Sequence, residues 1–137
     1  MTARSIFGVA LGLVSAAAVV AGLAVVGSPA EARLKRLDER RVTDLQTLNN
    51  LLNQYWSRHK ALPASLDEAL NSAGWASSTR DPVTGELYPY RIVEGRRYEL
   101  CATFDRASDQ PPSTSAPFWS HSSGRQCFPM EIREGNR

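Results

Sequence analysis

Two cysteines, two histidines and a handful of carboxylates are the residues of this 137-residue chain that could do chemistry. Cys101 and Cys127 can form one disulfide, remain two buried thiols in a reducing compartment, or join His59 and His121 around zinc. Zinc is disfavoured, because about 25 residues between two cysteines is not the short spacing of a finger. The disulfide is the reading adopted, since an apolar targeting segment lies upstream and would deliver the thiols to an oxidising compartment. It would close a loop of about 26 residues and contribute about 3.5 kcal/mol by limiting the unfolded chain. Ser120-His121-Ser122 sets hydroxyls beside an imidazole, but sequence neighbours rarely make a nucleophile–base pair, and no G-x-S-x-G is present. His121 beside Trp119 therefore reads as a packing or capping residue, and His59 as a helix-end cation that suits the dipole. Asp81 and Glu86 read as turn and rim residues, not as an acid pair. No enzyme is expected from this inventory.

The charge balance agrees with that modest chemistry. Sixteen basic and fourteen acidic residues leave a net +2, which gives no electrostatic case for nucleic acid. Arg91, Arg96 and Arg97 form a small basic group beside a strand edge, where charge more often prevents aggregation than binds a ligand.

The elements that must position these residues begin with an apolar run, Ile6 to Val26, "IFGVALGLVSAAAVVAGLAVV". As a helix it would measure about 32 Å, one hydrocarbon thickness. It is rich in Gly, Ala and Ser, so its drive to insert is mild. Gly8, Gly12 and Ala16 recur at every fourth position and would let two such helices approach closely. A secretory signal is the competing reading: Arg4 supplies a basic start and Ala30-Glu31-Ala32 matches a small-x-small cleavage site. Against cleavage, the apolar run exceeds the usual ~7–15 residues. Ser28, Pro29 and Glu31 also read as the N-cap, first and third positions of a new helix. Arg33, Lys35, Arg36, Arg40 and Arg41 follow the span, and the positive-inside rule alone would hold the following domain in the cytoplasm. A disulfide requires the opposite side, and that placement is the one expected here.

From Ser28 to about His59 the pattern is helical. Leu34, Leu37, Leu45, Leu48, Leu52 and Tyr55 recur at three- and four-residue steps, and Val42, Leu51 and Trp56 widen the stripe. The first third is mostly charged and reads as a solvated stalk, with Arg41 interrupting any coiled-coil seam. Pro63 stops this helix, Ser65-Leu66-Asp67-Glu68 opens a short one, and Gly74 ends it, with Trp75 expected over the core edge. Asp81-Pro82 and Thr84-Gly85 mark a turn. Tyr88, Tyr90 and Ile92 alternate onto one face of a strand that Pro89 consigns to an edge. Tyr98, Leu100, Ala102 and Phe104 alternate next, which puts Cys101 on the opposite face. A polar Pro/Ser loop, Asp105 to Pro117, leads to a third strand around Gln126 to Phe128.

The expected fold is α+β: an N-terminal transmembrane helix, then a long amphipathic helix and a short helix packed on a three-stranded antiparallel sheet. The expected organisation is an anchor or signal segment at 1–27, a charged helical stalk at 28–41, the α+β domain at 42–130 and a flexible tail at 131–137.

The run "RRVTDLQTLNNLLNQYWSRHKALPASLDEAL" followed by "DPVTGELYPYRI" resembles the type IV pilin-like proteins, in particular the soluble domain of the major pseudopilin of type II secretion. Leu62-Pro63, Asp81, Pro82, Gly85, Tyr88 and Tyr90 take the places of that family's turn residues. The two-cysteine ending, "YELCATF" with "WSHSSGRQCF", is similar to that of bacterial membrane-anchored proteins. The chain departs from pseudopilins in having Val9 after Gly8, no glutamate in the apolar run, and Ser28-Pro29 breaking the helix. It thus looks like a pilin-type domain on an ordinary anchor. Proteins of that family often hold a calcium ion in the loop after the second strand, and Asp105 and Asp109 lie in the comparable loop as candidate carboxylates; their spacing is loose and the loop has two prolines, so a solvated loop with no cofactor is the reading expected. The resemblance implies a non-catalytic, single-pass protein of the inner (cytoplasmic) membrane whose C-terminal domain, in the periplasm or outside, contacts other envelope proteins. The structural residues of that domain would be Cys101, Cys127, Asp81–Gly85, Tyr55, Trp56, Tyr88, Tyr90 and Trp119. The alternative is an ion- or small-ligand-binding module, secreted or anchored, using the Asp105–Trp119 loop.

Overall fold

The computed structural model describes residues 3–26, 28–75, 79–110, 112–113 and 117–132. In order these form α1 (Ala3–Val26), α2 (Pro29–His59), α3 (Leu66–Ser72), β1 (Tyr90–Glu94), β2 (Arg97–Phe104) and β3 (Gly124–Glu131). The chain divides into two compact units, Met1–Arg33 and Leu34–Arg137. The α+β class and the three-stranded antiparallel sheet are as the sequence predicts.

In the first unit, α1 carries Arg4 near its start and no charged residue from Ile6 to Val26, and the side chains described in it, residues 7–22, are all exposed. Those residues span about 24 Å at 1.5 Å each. Among the described residues no helix is long and apolar enough to cross a membrane. Gly8, Gly12 and Ala16 all lie on α1, and a Cβ built on either glycine meets nothing within 4 Å. At the start of α2 the Ser28 hydroxyl accepts the Glu31 N–H at 3.2 Å, and the Ser28 carbonyl accepts the Ala32 N–H at 3.1 Å. Ser28 therefore satisfies donors that a helix start leaves open, as its type and position predict.

In the second unit, α2 buries Leu45, Leu48, Leu51, Leu52 and Tyr55 against the sheet's inner face. That face carries Tyr98, Leu100, Ala102, Phe104, Phe128 and Met130, and Leu66, Ala69 and Leu70 of α3 complete the core. Tyrosine hydroxyls fasten the layers where the hydrocarbon ends. Tyr88 donates to Asp44 at 2.9 Å, Tyr98 to Asn49 at 2.6 Å, and Tyr90 to the Pro63 carbonyl at 3.1 Å. Each gives a buried ring the polar partner it needs. Burial, with the Glu68 and Tyr55 charges adding to it, pushes the Tyr90 phenol up to about 12.

Helix α2 ends with Lys60 at φ 57, a left-handed residue whose N–H donates to the Trp56 carbonyl at 2.8 Å. A side chain there costs about 1–2 kcal/mol. Lys60→Gly is expected to stabilise the domain by about 0.5–1 kcal/mol after the entropic cost of glycine. A shift of the urea midpoint to higher concentration, with the slope unchanged, is the result that checks it. Helix α3 begins at Ser65, whose hydroxyl accepts the Glu68 N–H, while the Glu68 carboxylate reaches back to the Ala64 N–H. It ends on Gly74 at φ +73, with Trp75 N–H on the Leu70 carbonyl and Gly74 N–H on the Asn71 carbonyl. That double bond pattern is the left-handed helix stop for which glycine is suited. Trp75 itself is 46% exposed, where the sequence suggested a cover for the core.

The sheet order is β1-β2-β3, so β1 and β3 are both edges. Each edge is blunted: β1 by a register shift between Ile92 and Glu94, β3 by Pro129. Pairs Arg91–Glu99 and Arg97–Glu94 tie the cations near β1 to local carboxylates. Strand β3 runs further than the sequence suggested. Glu131 belongs to it, and Ile132 is buried with its N–H on the Arg96 carbonyl, so these two residues are not tail. The rest of the expected tail, residues 133–137, lies outside the described residues.

Candidate functional site

Among the described residues, one concentrated group of charges is centred on Arg41. Its side chain is 5% exposed. Its Nε donates to Asp81 Oδ2 at 2.8 Å, and its Nη1 donates to Asp38 Oδ1 at 2.7 Å and Asp105 Oδ2 at 2.6 Å. Three elements meet there. Asp38 and Arg41 are one turn apart on α2, Asp81 comes from the turn before β1, and Asp105 follows β2 directly.

Local structure places each carboxylate. Asp81 Oδ1 accepts the N–H groups of Val83 and Thr84, and Gly85 N–H donates to the Asp81 carbonyl at 2.9 Å. This is the aspartate turn that Asp81-Pro82-x-Thr-Gly predicts, closed by Gly85 at φ +71. The second oxygen of Asp81 is thereby aimed at Arg41. Asp38 does the same for the other segment: its carboxylate accepts the N–H groups of Asp105 at 3.0 Å and Arg106 at 2.8 Å. Three carboxylates surround one guanidinium, and the excess negative charge is spread over four backbone donors. Asp105 remains 40% exposed and shares its charge with solvent.

The electrostatics follow from this arrangement. Burial alone would favour loss of the Arg41 proton, but its bonds to Asp81, Asp105 and Asp38 outweigh that and hold it above its usual value. Burial likewise opposes ionisation of Asp81. The Arg41 guanidinium and the Thr84 and Val83 N–H groups win, and its carboxyl is held below the usual 3.8. A depressed folded value adds stability that is fully present above the unfolded value and lost as pH falls through the folded one. Stability is therefore expected to hold from neutral pH to about pH 4 and then fall. Urea midpoints measured across that range check it, and Asp81→Asn is expected to flatten the acid limb while lowering stability at neutral pH.

Asp38 and Arg41 are buried within residues 28–41, where the sequence suggested a solvated stalk, while the other charged side chains of that stretch, Glu31, Arg33, Lys35, Arg36, Glu39 and Arg40, are exposed. The sequence held a signal for this. At 100° per residue Asp38 and Arg41 fall within the same sector as Leu34, Leu45 and Leu48, so these are charges placed on the core-facing stripe. Arg41 read as an interruption of the seam; it is the centre of one.

The other expected site residues separate into distinct places. Cys101 and Cys127 are bonded, S–S 2.02 Å, and stand directly opposite in the β2–β3 register. Asp105 is held by Arg41, and Asp109 accepts Lys35 Nζ at 2.7 Å, so the two carboxylates proposed for calcium each face a different cation of α2. The Lys35 hydrogen bond holds the Asp109 carboxyl below its usual range. Among the described residues no three His, Cys, Asp or Glu side chains are grouped so as to hold a metal ion. His121 is buried and stacks on Phe104 with ring centroids 3.6 Å apart, the packing role its neighbour Trp119 suggested. His59 stacks on Tyr55 at 4.2 Å at the end of α2. Trp56 and Trp119 are partly buried against the core. Pro111 and residues 114–116 of the Asp105–Trp119 loop lie outside the described residues. Among the described residues no buried side-chain nitrogen or oxygen lacks a hydrogen-bond partner.

No protein-family model, curated protein or solved structure matches this chain.

Proposed function

We propose that this chain is a single-pass bacterial envelope protein whose pseudopilin-like domain lies in the periplasm or outside and makes protein–protein contacts without catalysis. The observation that carries the reading is an apolar helix and, downstream in the same chain, a disulfide, a bond that persists in oxidising compartments. Residues 6–26 would lie in the inner membrane. A helix apolar on every side suits lipid, and the Ser15 hydroxyl on α1 is already satisfied by the Leu11 carbonyl at 2.9 Å. Anchoring is favoured over cleavage because Ala30-Glu31-Ala32 occupies the first turn of α2, where a peptidase would first have to unwind the chain. The pseudopilin-like assignment is supported by the order of a long helix, a short helix and three antiparallel strands, and by the Asp81–Gly85 turn. Ile92, Val93 and Phe118 are exposed apolar residues available to partners.

The test is alkaline extraction of membranes from cells making the full chain, followed by intact-mass analysis. The expected product stays with the membrane and retains the residues before Ile6. A soluble product beginning after Ala32 would replace the anchor with a secretory signal.

A further inference from the structure

The register of β2 and β3 does not depend on the Cys101–Cys127 disulfide. Residues from Arg97↔Glu131 to Phe104↔Gly124 pair continuously, and the inward side chains of both strands sit in the core. Cys101 and Cys127 lie on the other side of the sheet and are not part of that core cluster. The Cys101 N–H donates to the Pro89 carbonyl at 2.9 Å, toward β1, so it has no bond to make toward Cys127. The two cysteines thus form a non-hydrogen-bonded cross-strand pair, the kind in which opposed side chains come closest.

The two cysteines are not equally exposed. Cys101 is 5% exposed on the central strand, whereas Cys127 is partly exposed on an edge strand. A thiolate attacks a disulfide sulfur in line with the bond it breaks. Attack on Cys101 would have to come from the side of Pro89 and β1. Attack on Cys127 comes from the far edge of β3, where no strand is paired among the described residues.

We propose that Cys101–Cys127 is a reversible thiol–disulfide exchange site, opened by a dithiol donor that attacks at Cys127. The donor thiolate bonds to Cys127 Sγ, the Cys101–Cys127 bond breaks, and its electron pair leaves on Cys101 Sγ, which takes a proton from water. The donor's second thiol gives up its proton and attacks the donor sulfur of the mixed disulfide, releasing Cys127 as a thiolate that is then protonated. Two electrons pass to the protein, the donor ends as a disulfide, and the two strands remain paired. The reduced state no longer closes the connection that holds Asp105 and Asp109. The proposal does not depend on the envelope reading.

The experiment uses the full, oxidised chain under native conditions. Glutathione serves as a monothiol to trap the mixed disulfide, whose position is read by peptide mass mapping. Reduction rates are then measured with dithiothreitol and with reduced thioredoxin, in zero and in sub-denaturing urea, while circular dichroism follows the fold. The expected results are a glutathione adduct on Cys127 at least about tenfold above Cys101, reduction insensitive to low urea, and an unchanged sheet signal. Faster reduction by thioredoxin assigns a protein donor; reduction by dithiothreitol alone assigns a small one. An adduct mainly on Cys101, or reduction that accelerates with urea as global unfolding does, overturns the proposal.

Discussion

Arg41→Met is expected to lower the unfolding free energy of the domain by about 3–5 kcal/mol. The loss is not the value of one ion pair. It is the cost of leaving Asp38 and Asp81 buried without their cation while Asp105 loses its anchor. A domain of this size holds about 5–15 kcal/mol in total, so the variant should stand near the edge of folding. Arg41→Lys is expected to recover little. The native contacts use Nε and Nη1 of one planar fork to reach carboxylates on different segments, and a point ammonium cannot reproduce that spread. Urea unfolding of the three proteins gives the comparison. A loss near that of an exposed ion pair, below about 1 kcal/mol, would mean that the cluster is solvated.

Replacing both cysteines by serine is expected to cost about 3.5 kcal/mol, the loop-closure entropy for a connection of about 26 residues. The sheet should keep its register, since the β2–β3 ladder continues on both sides of the pair. The unfolded chain becomes more expanded, so the dependence on urea should steepen as the midpoint falls. A steeper slope with native circular dichroism supports this account. A chain that fails to fold at all would assign the bond a role in forming the sheet.

The sequence was most legible where one residue type has one physical use. Ser28 and Ser65 as helix caps, Gly74 as a left-handed stop and Asp81–Gly85 as a turn each follow from local chemistry that needs no tertiary partner. The alternation of Tyr98, Leu100, Ala102 and Phe104 likewise fixes which face of β2 is inside. Legibility fell where the partner is distant in sequence. Asp81 satisfies its own turn with one oxygen and Arg41 with the other, and only the first is a local pattern. Asp105 and Asp109 looked like loop carboxylates free for a cation, but α2 supplies Arg41 and Lys35 to them across more than sixty residues. Arg41 is hard to read for the opposite reason: a charge on an apolar stripe looks like an end to burial unless its counter-charges are known. Ile132 falls in the run expected to be tail, yet its N–H on the Arg96 carbonyl carries the chain back into the core.

The state of the two thiols in the cells that make this protein tests the central claim most directly. Cells are quenched in acid, and the full chain is alkylated before and after reduction and weighed. A domain displayed outside the reducing interior takes up no alkylating label until a reductant is added, and then takes up two. Two labels on every chain without reduction would remove the basis of the envelope assignment.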